Sequence, residues 1–331
     1  MTTCSVMDFG AVGNGVADDT TAFLSALSNA DKVIMPRPAV RYRLTAGLAL
    51  NGEKSLIGEA EFTKVHKDFA GAMFTLRNNE NVLHNIGLEG NPGQVGAAIY
   101  VDSAAGAVQY NDVSKIRMIN CYNGIEDGGA SIGIKNRFKD ITMLLHKNRG
   151  IILTRQFAYT DLENITVDYT QNAAVVNIPA VVIVNAEGVR LNKVDVTGSN
   201  AIGPCGTQYG FWFQNSSAIW LNECMADTVG GVGFYFSNVN HAYLASNVAS
   251  LCGSHGFHSS SSDHVIGIGN YATSNAGRGL VHDGAGSLSF TGGKLASNAG
   301  GHFSLGSAKA FIAATGNSGG ASINFTGPGA A

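Results

Sequence analysis

The strongest constraint on this chain is a repeat. Read every 23 residues, Phe211, Phe234, Phe257, Leu280 and Phe303 fall in one column. Ile219, Ala242, Val265, Leu288 and Phe311 form a second column at the same spacing. A third holds Leu221, Leu244, Gly267, Phe290 and Ala313, apolar except at Gly267. It continues backwards at spacings of 24 to 30 residues through Leu191, Leu162, Phe138, Val113 and Leu83. Beyond each of these, Val194, Ile165, Ile141, Ile116 and Ile86 recur, followed by Val196, Val167, Met143, Met118 and Leu88. Self-similarity at such a period marks an architecture of stacked units.

Each unit carries short alternating apolar runs, such as Leu-Glu-Asn-Ile-Thr-Val-Asp at 162–168, separated by Gly, Asn and Ser. That is strand chemistry punctuated by turn chemistry. Helical repeats would need long stretches of period 3.6, and leucine-rich repeats their own Leu spacing. Neither recurs. The fold that remains is all-β, a parallel β-helix of about ten or more coils, in which like residues stack about 4.8 Å apart. Residues 201–207 and 90–96 are expected to be loops that absorb the variable spacing. Asn275 and Asn298, one period apart, predict an asparagine ladder at a turn.

Composition narrows the function classes. The 331 residues are 45% apolar, enough to bury a core, and only 14% charged. Lys and Arg number 21 against 24 Asp and Glu, a balance of −3 that argues against a nucleic-acid surface. No apolar stretch reaches the length of a membrane span, and the N-terminus lacks the order of a secretion signal. Five irregularly spaced cysteines suit thiols used as small core residues, and no zinc-type pair is present.

An open stack of coils needs its ends covered. Asp18-Asp19-Thr20 is expected to cap a helix whose apolar side is Ala22, Phe23, Ala26 and Leu27. Lys32-Val33-Ile34-Met35-Pro36 then reads as the first strand. Residues 1–60 are therefore expected to form an N-terminal cap and 61–331 the body, within one structural domain. Residues 285–331 are almost uncharged and rich in Gly, Ala and Ser, which predicts burial against sister chains.

The segment Asp8-Phe9-Gly10-Ala11-Val12-Gly13-Asn14-Gly15-Val16-Ala17-Asp18-Asp19-Thr20 resembles the opening signature of the pectin-lyase-like superfamily. Ser55-Leu56-Ile57-Gly58 is similar to that family's first-coil segment. Asn14 departs from the usual Asp, and Pro36-Arg37-Pro38 from the usual Pro-x-Gly. The resemblance implies a right-handed parallel β-helix with a short N-terminal capping helix. It also implies a polysaccharide-active protein of the phage tailspike or depolymerase type, commonly a homotrimer, located on a virion tail or secreted. The partner expected on this basis is a bacterial capsule or O-antigen chain, or another acidic glycan, with no cofactor, no nucleic acid and no membrane insertion. Because the chain starts nearly at the signature, any virion-attachment segment is expected elsewhere.

The resemblance does not extend to a catalytic motif. Of the polygalacturonase set, only Gly253-Ser254-His255-Gly256 echoes the Gly-His-Gly element, without an acidic pair on the preceding turn. The clustered Tyr, Asp-Pro and His of the alginate epimerases is absent too. Stacking supplies another route. Residues flanking the central Ile or Val of each turn should point outward. They read Lys115/Arg117, Asp140/Thr142, Asn164/Thr166, Lys193/Asp195 and Glu223/Met225. Asp195 and Glu223 then lie on adjacent turns, roughly 8 Å apart, a separation suited to an inverting glycosidase.

A neighbouring column of Arg190, Trp220 and Tyr243 offers a sugar platform. The bland alternative is a solvated face, since Lys193 lies between the two acids. Asp227, in a second acidic column with Asp168, brackets the same region as a substrate-binding residue. His241 and His264 are one period apart and should stack, with Asp263 adjacent; turn residues are the simpler reading, and no metal is expected. β-Elimination on a uronate, with Arg190 as neutraliser and Tyr243 or His241 as base, is the alternative chemistry. A glycan-binding adhesin without catalysis is the alternative class.

Overall fold

The computed structural model describes residues 2–60, 62–91, 93–129, 131–144, 148–154, 157–170, 178–198, 208–284 and 286–306, and the backbone of 309–316 and 322–326. They form two compact units, Met1–Ile165 and Thr166–Ala331. Both are built from parallel coils, each contributing a strand to three faces. One face, here face C, has five strands in the first unit and six in the second among the described residues, so the repeat amounts to about eleven coils. The only described helices are short and lie at the N-terminus, Val6–Phe9 and Thr20–Asn29.

In the second unit, face A comprises the start of Arg190–Thr197, then Ser217–Asn222, Asn240–Ala245 and Asp263–Ile268. Face B comprises the end of Arg190–Thr197, then Met225–Asp227, Val248–Ser250, Tyr271–Thr273 and the end of Ser287–Ala296, whose start continues face A. Face C comprises Val181–Val184, Tyr209–Gln214, Val232–Ser237, Phe257–Ser260, Leu280–Asp283 and Phe303–Leu305. The predicted columns stack in register. Phe211 pairs with Phe234, Phe234 with Phe257, Phe257 with Leu280 and Leu280 with Phe303. Inside the coil the rings of Phe211, Phe234 and Phe257 lie parallel at 4.6 and 4.9 Å. Gly267 interrupts its column because a Cβ there would sit 2.5 Å from the Phe290 ring. The missing side chain is the space that ring occupies.

The other two columns end one coil early. Leu288 pairs with Ala310 rather than Phe311, and Phe290 with Ile312 rather than Ala313. Leu305 still pairs with His282 at the full period. The loss of one residue therefore falls between Leu305 and Lys309, where a sequence column cannot register it. The final described strand, Ser322–Thr326, runs antiparallel to Lys309–Gly316.

In the first unit, Val113 pairs with Phe138 and Leu83, and Ile116 with Ile141 and Ile86. Flanking residues do not simply alternate. Asn85, Lys115, Asp140, Asn164, Lys193 and Glu223 all have φ between 52° and 61°, in the left-handed region. The residue before each central apolar position is a corner, which turns the chain from face A onto face B. Side chains on the two sides of that corner therefore lie on different faces.

Buried asparagines hold several corners together. Asn275 and Asn298 form the expected ladder, with the Asn275 backbone and side-chain amides donating to Asn298 Oδ1 at 3.1 and 2.8 Å. A second ladder, Asn247 to Asn270, stands at the corner position that is Val194 and Cys224 on earlier coils. Val248 and Tyr271, which follow these asparagines, occupy the position of Asp195 and Met225 on the earlier coils. Both are in register, Met225 pairing with Val248 and Val248 with Tyr271. Cys121, Cys224 and Cys252 are buried free thiols that burial pushes up to about 12, as core residues should be. Cys205 and residues 201–207 lie outside the described residues, whereas 90–96 carry no described strand.

The N-terminal helix buries Ala22, Phe23, Ala26 and Leu27 as its spacing requires. Asp19 stands at its N-cap but makes no side-chain cap bond, and Asp18 meets the first helical amide instead. Asp18 accepts from the Thr20 amide and hydroxyl, whereas the buried Asp19 carboxylate turns back to the amides of Val12, Gly13 and Arg43. Two short strands, Thr3–Ser5 and Asn14–Asp18, precede the one expected to be first, Lys32–Met35.

The Thr20 and Thr45 hydroxyls hold the Asp18 carboxyl down at about 2, from a usual 3.8. A lowered folded-state pKa stabilises above the unfolded value, and the contribution disappears as pH falls toward 2. Asp18→Ala is therefore expected to lower the melting temperature at neutral pH. The gap from wild type should close as both are melted at progressively lower pH between 3.8 and about 2.

Candidate active site

All six residues singled out from the sequence lie in the second unit, divided by the corner. Arg190, Trp220 and Tyr243 occupy one column of face A, in register. The Trp220 and Tyr243 rings stack on each other at 5.8 Å and 11°. They stand as successive rungs rather than lying flat side by side, so each covers part of the face a sugar would use. Asn222 donates to Asn192 beside them at 2.9 Å.

Glu223 occupies the corner itself, where Lys193 Nζ is 3.5 Å from its carboxylate and both side chains are more than half exposed. Asp195 is past the corner on face B, in register with Met225. Burial pushes its carboxyl above the usual carboxylate range, and the Met225 backbone amide opposes this. Asp227 accepts a short hydrogen bond from the Ser250 hydroxyl on the next coil. His241 and His264 stack at 4.6 Å, and His264 Nδ1 is 3.0 Å from Asp263. Among the described residues no three metal-donor side chains converge.

Face C holds a constellation that lies outside the outward pairs around the central Ile or Val. One residue beyond the Phe column, Trp212, Tyr235 and His258 stack coil upon coil. Tyr209 stacks on Tyr235 at 4.7 Å, and the rings of Tyr235 and His258 are 5.0 Å apart. His258 Nε2 lies 2.9 Å from Asp283 Oδ2, one coil further on. An ionised carboxylate only accepts, so Nε2 carries the hydrogen of this bond and Nδ1 is left with the lone pair.

The ring of His255 stands perpendicular to that of His258, 5.5 Å away. Its Nδ1 accepts from the Arg278 backbone amide at 2.9 Å, which leaves the hydrogen of the neutral ring on Nε2. Burial above all, with the Arg278 guanidinium and any charge that His258 takes up adding to it, lowers its pKa, which favours the neutral donor form. Arg278 is exposed, and its guanidinium donates to the Phe303 carbonyl at 3.1 Å. Face C thus assembles an oriented base, a neutral imidazole donor, a guanidinium and an aromatic wall. One sequence signal could have found it: the step of 25 residues from His258 to Asp283 is one coil plus two positions, which brings the pair together only once the 23-residue register is fixed.

No protein-family model matches the chain, and no curated protein matches it. Solved structures do. The A-module of the mannuronan C-5 epimerase AlgE6 of Azotobacter vinelandii superposes with a TM-score of 0.73 at 14% identity, over 98% of this chain and 96% of that one. The enzymatically active domain of bacteriophage CBA120 tailspike protein 2 gives 0.66 at 13% identity, over 95% of this chain and 52% of that one. The gp42 tailspike of Acinetobacter phage vb_AbaP_AS12 gives 0.63 at 11% identity, over 99% and 65%. Such distant likenesses establish architecture, and by that architecture the chain has a parallel β-helix fold.

Proposed function

We propose that the protein processes an acidic polysaccharide on face C of its second unit, by abstracting the proton α to a uronate carboxylate. The observation that carries this reading is the His258–Asp283 pair, set beside His255 and Arg278 against the Tyr209–Tyr235 wall. Asp283 orients His258 so that Nδ1 faces substrate as the base. Arg278 and the Nε2 hydrogen of His255 bind the sugar carboxylate and stabilise the charge that develops on it as the C5 proton leaves. The C5–H electron pair then forms the C4–C5 double bond, the C4–O4 bond breaks, and the imidazolium returns its proton to the departing oxygen. Epimerase and tailspike relatives in fold support a glycan as substrate, and a bacterial surface polysaccharide met by a phage tail is the corresponding setting.

A second reading, hydrolysis by two carboxylates, is favoured by one observation: the raised pKa of Asp195, as a general acid needs. Glu223 would then be the base, with Arg190, Trp220, Tyr243 and Asp227 binding sugar. Lys193 competes for Glu223 in that arrangement. The discriminating experiment incubates the full chain with bacterial capsules, O-antigens, pectate and alginate, reading reducing ends together with ultraviolet absorbance. Absorbance from unsaturated uronates supports elimination, and its loss in His258→Asn supports face C as the site. Reducing ends alone support hydrolysis, and retention without either product supports an adhesin. On the proposed reading Asp195→Asn and Glu223→Gln keep turnover within about threefold of wild type, whereas loss of an essential acid or base costs about 10²-fold or more.

A further inference from the structure

Face B of the second unit has an uncommon charge pattern. Its outer column runs Asp195, Met225, Val248, Tyr271 and Lys294, one residue per coil and all in register. The column is acidic at one end, apolar through the middle and basic at the other end. Among the described residues, neither Asp195 nor Lys294 forms an ion pair. The apolar middle is unusually open. Ile268 and Tyr271, on either side of the corner, are 60% and 47% exposed, and Leu251 at the edge of face B is 44% exposed. Trp220 is the only other exposed large apolar side chain described in this unit, and face C contributes none.

We infer that this face is the contact of a twofold homodimer, with the two copies antiparallel across it. Four strand steps separate Asp195 from Lys294, about 19 Å. A twofold axis passing at Val248 exchanges the two ends, placing Asp195 against the partner's Lys294 and Lys294 against the partner's Asp195. The same operation sets Met225 against the partner's Tyr271, a favourable sulfur–aromatic contact, and covers Ile268 and Leu251 at the rim. An isologous contact makes every such pair twice. In a ring of parallel copies the column would meet a different face of its neighbour, so its self-complementarity is specific to the twofold arrangement.

The test is sedimentation equilibrium of the full chain across the micromolar range. Wild type is expected to show a monomer–dimer equilibrium that weakens with added salt. Lys294→Asp and Asp195→Lys, each reversing two pairs per dimer, should raise the dissociation constant at least about tenfold. The double variant Asp195→Lys with Lys294→Asp should return it to within about threefold of wild type. Tyr271→Ser should weaken the dimer without any charge change, and circular dichroism shows that each variant is folded. A monomer throughout, a trimer, or single reversals that the double variant fails to rescue would overturn the inference. The double variant also separates this contact from a catalytic Asp195, since it would regain the dimer and remain inactive if Asp195 were the acid.

Discussion

His258→Asn is expected to lower turnover of a uronate-containing polysaccharide by about 10²- to 10⁴-fold, the usual cost of removing a positioned base. The substitution removes the ring and its lone pair and leaves the wall beside it, since Tyr209 and Tyr235 stack on each other independently of His258. Binding should therefore persist while catalysis stops. Asp283→Asn should cost less, because the amide can still meet one imidazole nitrogen. It also permits the other tautomer, and that loss of orientation is the measurable part. Steady-state kinetics on the three proteins, with glycan retention measured in parallel, decides the matter. A His258→Asn variant with full turnover would remove face C from the chemistry.

The largest expected effect on stability comes from a position with no role at the site. Asn270 is fully buried, and its Oδ1 accepts from both the backbone and side-chain amides of Asn247 at 2.9 Å. Its Nδ2 donates to the Leu244 carbonyl at 2.9 Å. Asn270→Ala removes three buried hydrogen bonds, those of the Asn247 backbone amide, the Leu244 carbonyl and the Asn247 side-chain amide, the last of which keeps the Leu221 carbonyl, at about 1–3 kcal/mol for each group left unpaired. With partial relaxation, a total of roughly 3–5 kcal/mol is expected, a large share of the ~5–15 kcal/mol typical of a folded domain. Asn222→Ala breaks a bond between exposed side chains and should cost about 0.5 kcal/mol or less. Urea midpoints for the two variants against wild type measure the difference. Equal midpoints would mean that the ladder does not hold the corner.

The contrast between these asparagines shows what the sequence could and could not reveal. Inward positions announce themselves, because an apolar residue recurs wherever a coil stacks on the last, as with Phe211, Phe234 and Phe257. Asn275 and Asn298 were legible for the same reason. Asn247 and Asn270 stand where earlier coils carry Val194 and Cys224, so the register is kept while the chemistry changes, and no apolar recurrence marks the position. The shortened final coil was invisible because a missing residue leaves no mark until the pairing partners are known.

The candidate site was harder to read for a different reason. Residues on opposite sides of a left-handed corner are close in sequence and lie on different faces, as Trp220 and Asp195's partner Met225 do. A search that follows only the central apolar residue therefore joins side chains from two faces. His255 and His258 lie three residues apart on one coil and Asp283 comes from the next, held together by a hydrogen bond, a ring contact and a backbone amide. No spacing rule in one strand contains that arrangement.

The two tryptophans of the chain offer the most direct test of where glycan binds, since Trp212 lies on face C and Trp220 on face A. Variants Trp220→Phe and Trp212→Phe each leave a single emitter, and titration of both with an oligouronate reports the two faces separately. The proposed site predicts a saturable change in emission from Trp212, with Trp220 unresponsive over the same range. A change confined to Trp220 would place the sugar on face A and contradict the assignment.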